Sequence, residues 1–322
     1  MKKTILFFTG LLALTSCKTT KEEKPVLAQH VAVQKQYEID SLTVKKHLYT
    51  LASDEMEGRK AGTEGIEKAA QYIEKEFERI GLTTYKDLTS YRQSFEHKGA
   101  NMFNVIGVLE GSSKKDEFVV VSAHYDHLGM KKSGDDKIYN GADDDASGVA
   151  AVLTLAEYFK SRGTERTVLF VAFTAEEMGL VGSKHFGKDV NPTDFVAGIN
   201  IEMIGKTSSY GPKTAWLTGF DRSDFGKIIQ KNLEGTGYKL YPDPYPKFNL
   251  FFRSDNASLA RLGIPSHTFS TGPIDKDPHY HKVTDEASTL NVSNITETIK
   301  AIALGTTTII NGTDTPTRVV VE

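Results

Sequence analysis

"FVVVSAHYDHLG" (residues 118–129) runs from consecutive apolar residues straight into a histidine, an aspartate and a second histidine. Successive residues of a strand point to opposite faces. A strand with valine at 119, 120 and 121 is therefore apolar on both sides and needs cover on both. Such strands belong to parallel sheets flanked by helices. If the strand period continues into the polar end, His124 and Asp126 share one face, and Tyr125 and His127 take the other.

The same design recurs outward from this segment. "RTVLFVAFTAEE" (166–177) is a near-continuous apolar strand that ends in acids, and "AGINIEMIG" (197–205) repeats the pattern. "NMFNVIGVLEG" (101–111), "AWLTG" (215–219) and "GIPSHTFSTG" (263–272) read as further strands. Between them lie helical segments. "GTEGIEKAAQYIEKEFERIGL" (62–82) places Ile66, Ala69, Ala70, Ile73, Phe77 and Ile80 on one stripe and stops at Gly81. "SGVAAVLTLAEYFKSRG" (147–163), "SDFGKIIQKNLEGTG" (223–237) and "VSNITETIKAIALGTTTII" (292–310) follow. Alternating strands and helices predict an α/β fold, a mostly parallel mixed sheet with helices on both faces. Ligands of such sheets bind at the carboxyl ends of the strands.

The chain has 322 residues, 39% hydrophobic and 25% charged, with a net charge of −3. It carries no basic block in its body, so nucleic acid is not an expected partner. The start, "MKKTILFFTGLLALTSC", has a lysine pair, a short apolar run and small residues, the form of a signal peptide. Its "LTSC" resembles the bacterial lipoprotein cleavage box. That resemblance implies export, lipidation of Cys17 and anchoring to a membrane of the cell envelope. Cys17 is the only cysteine, so no internal disulfide can form. The expected layout is a signal peptide over 1–17, a flexible tether over 18–38, a single domain over 39–310 and a loose tail over 311–322.

Polar clusters follow the predicted strands: "AHYDHLG", "TAEEMG" and "IEMIG". "YNGADDDASG" (139–148) and "DPHYHKVTD" (277–285) sit on connections. Each alone reads as a turn, a helix cap or a solvated group. Gathered at one end of a sheet, they need a cation, because like charges repel in a medium of low dielectric. Imidazole and carboxylate donors without a thiolate suit zinc, with cobalt or manganese as substitutes. More than four candidate ligands point to two metals bridged by a carboxylate.

Taken in order, "AHYDHLG", "GADDDASG", "TAEEMGLVGS", "INIEMIG" and "HYHKVTD" resemble the M28 family of zinc peptidases, the bacterial leucyl-type aminopeptidases in particular. "LASDEMEGRKAGTEG" (51–65) resembles an opening segment of that family, and the likeness spans roughly residues 48 to 305. It implies a zinc-exopeptidase-like (phosphorylase/hydrolase-like) fold and an aminopeptidase acting on peptides with two zinc ions. It implies His124, Asp144, Glu177, Glu202 and His281 as metal ligands, Asp144 bridging, and Glu176 as general base. Glu202 stands where most of the family has aspartate. The same scaffold serves carboxypeptidases, dipeptidases and glutaminyl cyclases. A non-catalytic, lipid-anchored peptide-binding protein is the reading from another class; the intact acids and histidines argue against it.

The residues themselves support several roles. Adjacent acids point in different directions, so Glu176 and Glu177 cannot face one metal equally. Asp126 is expected to hold the far nitrogen of His124 and fix its tautomer, and His127 to stand aside. Asp285 is read either as a similar partner of His281 or as a helix cap. Tyr280 is read either as an oxyanion donor or as a packed aromatic. Ser254 and Asp255 read as a cap or site wall, and "YPDPYPKFNLFF" (241–252) with Met203 as the lining of a side-chain pocket.

Overall fold

The strand at the centre of the molecule, β3 (Lys114–His124), divides its side chains between two cores. Val119, Val121 and Ala123 pack into one cluster and Val120 into the other. This alternation follows from the strand period, and each buried valine contributes about 1.5–3 kcal/mol. The computed structural model describes residues 36–321, together with Met1 and Thr4. The signal segment, Cys17 and most of the expected tether lie outside the described residues.

In chain order the elements are α1 (Ser41–Leu51), α2 (Glu64–Ile80), β1 (Arg92–His97), β2 (Ala100–Leu109) and β3. A short pair, β4 (Gly129–Met130) and β5 (Ile138–Tyr139), precedes α3 (Ser147–Arg162). Then come β6 (Arg166–Phe173), α4 (Val181–Lys188), β7 (Phe195–Ile201), β8 (Thr214–Leu217), α5 (Phe225–Asn232) and β9 (Lys239–Pro242). The last elements are α6 (Asn256–Ala260), β10 (Ser266–Ser270) and α7 (Val292–Ile310). Eight strands form one sheet in the order β1-β2-β6-β3-β7-β10-β8-β9. The central run β6-β3-β7-β10 is parallel. Antiparallel neighbours flank it, β2 beside β6 and β8 beside β10. The fold is thus the mixed, mostly parallel sheet expected.

Helices α1, α2, α3, α5 and α7 cover one face, with Leu48, Phe77, Val149, Val152, Ile229 and Ile299 among the buried residues. On the other face Phe186 of α4 and Leu259 of α6 meet Val120, Leu169 and Val171. Helix α1 starts where the Asp40 side chain accepts from the backbone of Leu42 and Thr43, at 2.8 and 3.0 Å. Helix α2 ends at Gly81, whose φ of 80° suits glycine. Because the four central strands are parallel, their carboxyl ends lie together. His124 closes β3, and Glu176 and Glu202 follow β6 and β7 within a few residues.

Two boundaries differ from the expected layout. The chain is docked from Tyr37 onward: its N–H donates to Ser161 Oγ at 3.1 Å and its carbonyl accepts from Arg162 at 2.6 Å. The segment 311–321 is not a loose tail either. The buried Arg166 guanidinium needs acceptors and finds Asp314 O at 2.7 Å, Thr315 Oγ1 at 2.5 Å and Ile309 O at 2.6 Å. Val319 is buried, and its N–H donates to Gly263 O at 3.2 Å. A buried cation thereby recruits the last segment, which no apolar period marks.

Arg166→Met should strip the final segment of these anchors and release Glu117, which Arg166 Nε meets at 2.6 Å. Glu117 is half-exposed and can turn to water, so the cost comes from the main-chain acceptors that Arg166 leaves unpaired, about 1–3 kcal/mol for each buried one. A fall in the thermal midpoint with faster proteolysis after Ile310 is expected. An unchanged midpoint and an intact end would show that the tail holds itself.

Candidate metal and active site

The site is a set of carboxylates and imidazoles built around Asp144. His124 leaves the end of β3 with its Nδ1 3.0 Å from the main-chain oxygen of Asp126. A carbonyl only accepts, so Nδ1 carries the hydrogen and Nε2 presents its lone pair. That lone pair lies 3.1 Å from Asp144 Oδ1. His281 Nε2 lies 3.1 Å from Asp144 Oδ2 and 3.2 Å from Glu177 Oε2. Glu202 brings a carboxylate oxygen to the His124 and Asp144 side, and its Oε2 is buried without a hydrogen-bond partner. Electron-pair donors that face one another this closely are stable only with a proton or a cation between them.

Two groups therefore meet at one carboxylate: His124, Asp144 and Glu202, and His127, Asp144 and Glu177, with His281 Nε2 also facing Asp144 and Glu177 in the second. The donors are nitrogen and oxygen, with no thiolate, a set that fits zinc. Orphaned buried atoms at His124 Nε2, Glu177 Oε1 and Glu202 Oε2 are what such a centre would satisfy.

Titration of these side chains reflects the same crowding. Burial opposes the charged form of His281, yet contacts with Asp144 and Glu177 outweigh it and push the imidazole up to about 10. Asp144 is likewise opposed by burial but held well below the usual carboxylate range by His124 and His281. Burial raises Glu176 well above that range, and it raises Glu202 to about 7.

The structure corrects the roles expected for Asp126, His127 and Asp285. The Asp126 carboxylate stands 3.8 Å from His124 Nδ1 and does not hold that nitrogen; the Asp126 carbonyl does. The carboxylate instead accepts from the backbone N–H of Glu176 at 3.0 Å and of Glu177 at 3.4 Å. His127 is no bystander. It is buried, and its Nδ1 lies 2.8 Å from Glu177 Oε1 and 3.9 Å from Asp144 Oδ2. Neither of its ring nitrogens has a well-aligned hydrogen-bond partner. The strand period fails here because β3 ends at His124, so the next residues turn toward the site. Asp285 neither touches His281 nor caps a helix. Its carboxylate accepts from Asp143 N at 3.0 and 3.1 Å and from Asp144 N at 3.1 Å, fixing the turn that carries Asp144.

The neighbouring acids of "DDD" divide their tasks. Asp143 Oδ1 takes the N–H of Gly205 at 2.7 Å, and Asp145 Oδ1 takes those of Gly148 at 3.0 Å and Met203 at 3.2 Å. Arg59, fully buried, donates to the carbonyls of Leu51, Tyr125, Asn140 and Gly141 at 2.6–2.9 Å. It ties the His124 turn to the Asp144 loop. Ala175, Met203 and His281 hold φ near 50–56° at the edges of the site. Such strain costs about 1–3 kcal/mol per residue and collects where function demands it.

Tyr280 stacks on the His281 ring, centroids 4.0 Å apart, and burial keeps its phenol protonated. A small cleft of about 40 Å³ opens beside Glu202 and Tyr280, lined also by Met203, Trp216, Leu250 and Ser254. The 241–252 segment thus supplies Leu250 to the wall, while Tyr245 backs Trp216 edge-on at 5.8 Å. Ser254 Oγ accepts from Asn200 at 2.7 Å and no histidine pairs with it. Asp255 is buried with both carboxylate oxygens unpartnered and supplies no side-chain cap to α6.

The profile of peptidase family M28 matches residues 104–305. Aminopeptidase YwaD of Bacillus subtilis is 30% identical over 128 residues, covering 38% of this chain and 26% of that protein. The chain spans about a quarter to a third of the length of the curated relatives it matches. A solved zinc aminopeptidase from Bacillus subtilis superposes with a TM-score of 0.71 at 16% identity, covering 87% of this chain and 98% of that one. Porphyromonas gingivalis glutaminyl cyclase superposes at 0.65 and 15% identity, covering 83% and 97%. At these identities the solved structures share the fold.

Substitutions at two positions test the cluster. Asp144→Asn removes the carboxylate common to both groups and should abolish retention of bound metal, measured by elemental mass spectrometry. A full metal complement in that variant would mean the cluster holds no cation. His127→Leu should weaken metal retention about 10–100-fold in competition with a chelator, as loss of an orienting partner does. His127→Asn, which keeps an N–H near the Nδ1 position, should recover part of the loss. Identical competition curves for all three proteins would reduce His127 to a space-filler.

Proposed function

The chain belongs to peptidase family M28, and on that premise we propose that it is a zinc-dependent exopeptidase that removes N-terminal residues from peptides. The observation that carries this reading is Asp144, whose two carboxylate oxygens each face an imidazole Nε2 at 3.1 Å. A carboxylate addressed from both sides fits a bridge between two ions. His124 and Glu202 would hold one zinc, Glu177 and His281 the other, with Asp144 common to both. Zinc in this donor set would polarise a scissile carbonyl and lower the pKa of water toward ~7.

The chain's own groups supply the remaining chemistry. Glu176 acts as general base and then general acid, taking a proton from the attacking water and passing it to the leaving amine. Burial raises its proton affinity, which suits a group that must hold the proton between two transfers. Asp126 anchors the backbone of Glu176 and Glu177, so the base and its neighbour keep a fixed relation. Tyr280, kept protonated by burial, donates to the developing oxyanion. The chain would act outside the cytoplasm, tethered by a lipid on Cys17, a residue outside those the structure describes.

Glu176→Gln should lower kcat by about 10²–10⁴-fold with metal content unchanged; full activity would reassign the base. A panel of aminoacyl-arylamides, the same compounds N-acetylated, and glutaminyl peptides should be assayed with and without a chelator. Chelator-sensitive hydrolysis confined to free N-termini is the expected result. Ammonia and a cyclised product from glutaminyl peptides, without arylamine release, would make the chain a cyclase. Cys17→Ser should release the protein from membranes, and unchanged sedimentation with the membrane fraction would remove the lipid anchor from the account.

A further inference from the structure

The cleft beside Glu202 and Tyr280 has an uneven inventory of hydrogen-bonding groups. Several of its hydroxyls are already committed. Thr268 Oγ1 donates to Asn256 at 2.8 Å and accepts from Asn200 at 3.1 Å. Ser270 Oγ donates to Met203 O at 3.0 Å and accepts from Gly272 N at 3.1 Å. Ser254 Oγ accepts from Asn200 and stands beside Glu202 in the cleft wall. Apart from Glu202 Oε2, which belongs to the group around His124 and Asp144, what is left over is donors. Trp216 is 4% exposed, lines the cleft, and its Nε1–H has no partner. Thr218 is 2% exposed and accepts from Thr268 N at 3.0 Å, while its hydroxyl proton has no acceptor among the described residues. Arg253 lines the cleft with an exposed side chain and makes no ion pair among the described residues.

An aliphatic side chain seated here would leave the Trp216 and Thr218 donors dry and unpaired, a cost of about 1–3 kcal/mol for each group. A lysine or arginine side chain would meet Arg253 and find no spare acceptor among these hydroxyls. A carboxylate satisfies the wall and the mouth together. We propose that this cleft is a specificity pocket for an acidic side chain, with Arg253 as its charge partner and Trp216 Nε1 and Thr218 Oγ1 as its inner donors. The inference rests on the exopeptidase reading for its placement at the substrate's first residue. Leu250 and Met203 then flank the methylenes that carry the carboxylate to the donors. A carboxamide, which also accepts but lacks charge, ranks between glutamate and leucine.

The test compares glutamyl-, aspartyl-, glutaminyl-, leucyl- and lysyl-arylamides on the zinc-loaded protein and on Arg253→Met, Thr218→Val and Trp216→Phe. The native protein should prefer glutamyl or aspartyl over leucyl by ten-fold or more in kcat/KM. Arg253→Met should collapse that ratio chiefly through KM, and the other two variants should reduce it several-fold. Binding is measured separately by calorimetry, with free L-glutamate and L-leucine as probes. Glutamate should bind at least ten-fold more tightly, and lose that advantage in Arg253→Met. Preferred hydrolysis of leucyl or lysyl substrates, or equal binding of the two amino acids, overturns the pocket assignment. Tight, Arg253-dependent glutamate binding with no arylamide hydrolysis overturns the exopeptidase reading and upholds the pocket.

Discussion

The constraint on which the structure depends is the repulsion among carboxylates crowded at one end of a sheet. Asp126, Asp143, Asp144, Asp145, Asp255 and Asp285 are all nearly closed to solvent, with Glu177 and Glu202 beside them. Two unit charges 4 Å apart repel by about 4 kcal/mol at an effective dielectric of 20. No packing of valines offsets that many times over. The countercharge within the described residues is small: Arg59, buried whole, and Lys206, which meets Asp277 and approaches Asp143 to 3.4 Å. Imidazoles, protons on the most deeply buried carboxyls and a cation share the balance. The fold is therefore tuned to a charged occupant.

The acids that do not face Asp144's partners are not idle. Asp126 accepts from the backbone after β6, Asp285 from the turn that carries Asp144, and Asp145 and Asp143 from the backbone after β7. Each such carboxylate ties together two segments distant in sequence by satisfying main-chain N–H groups. Hydrogen bonds to charged acceptors are stronger than neutral ones. The same residues that raise the electrostatic cost thus position the loops. Arg59 does the converse, gathering carbonyls from the helix α1 end, the His124 turn and the Asp144 loop.

This division explains what the sequence made legible. The sheet could be read because apolar runs such as 118–121 and 166–173 follow strand periodicity and need cover on both faces. His124, Glu176, Glu177 and Glu202 could be picked out because each follows such a run; Asp144 and His281 lie on connections and were legible only through the family resemblance. The roles of Asp126, His127 and Asp285 could not. They depend on where β3 stops and how three turns fold against one another, and strand periodicity carries no information past the last strand residue. The docked 311–321 segment was hidden for a related reason. It is held by Arg166 and by single main-chain bonds, not by a repeating apolar face. Elements α1, β1, α4, β9 and α6 are short or weakly periodic and left a fainter trace.

Glu202 connects the two halves of the site. It follows β7 directly, and Met203 next to it holds a φ of 51°, a backbone state that re-aims the chain at once. A glutamate reaches one methylene further than the aspartate the family resemblance led one to expect. Here that reach sets one carboxylate oxygen near His124 and Asp144 while the side chain also forms part of the cleft wall. Ser254, held by Asn200, meets it from the cleft side. A shorter side chain would withdraw from that wall and leave Ser254 facing open space. The longer acid therefore links metal site and cleft through one residue, so a change in the side chain that fills the cleft is felt directly by a group facing His124.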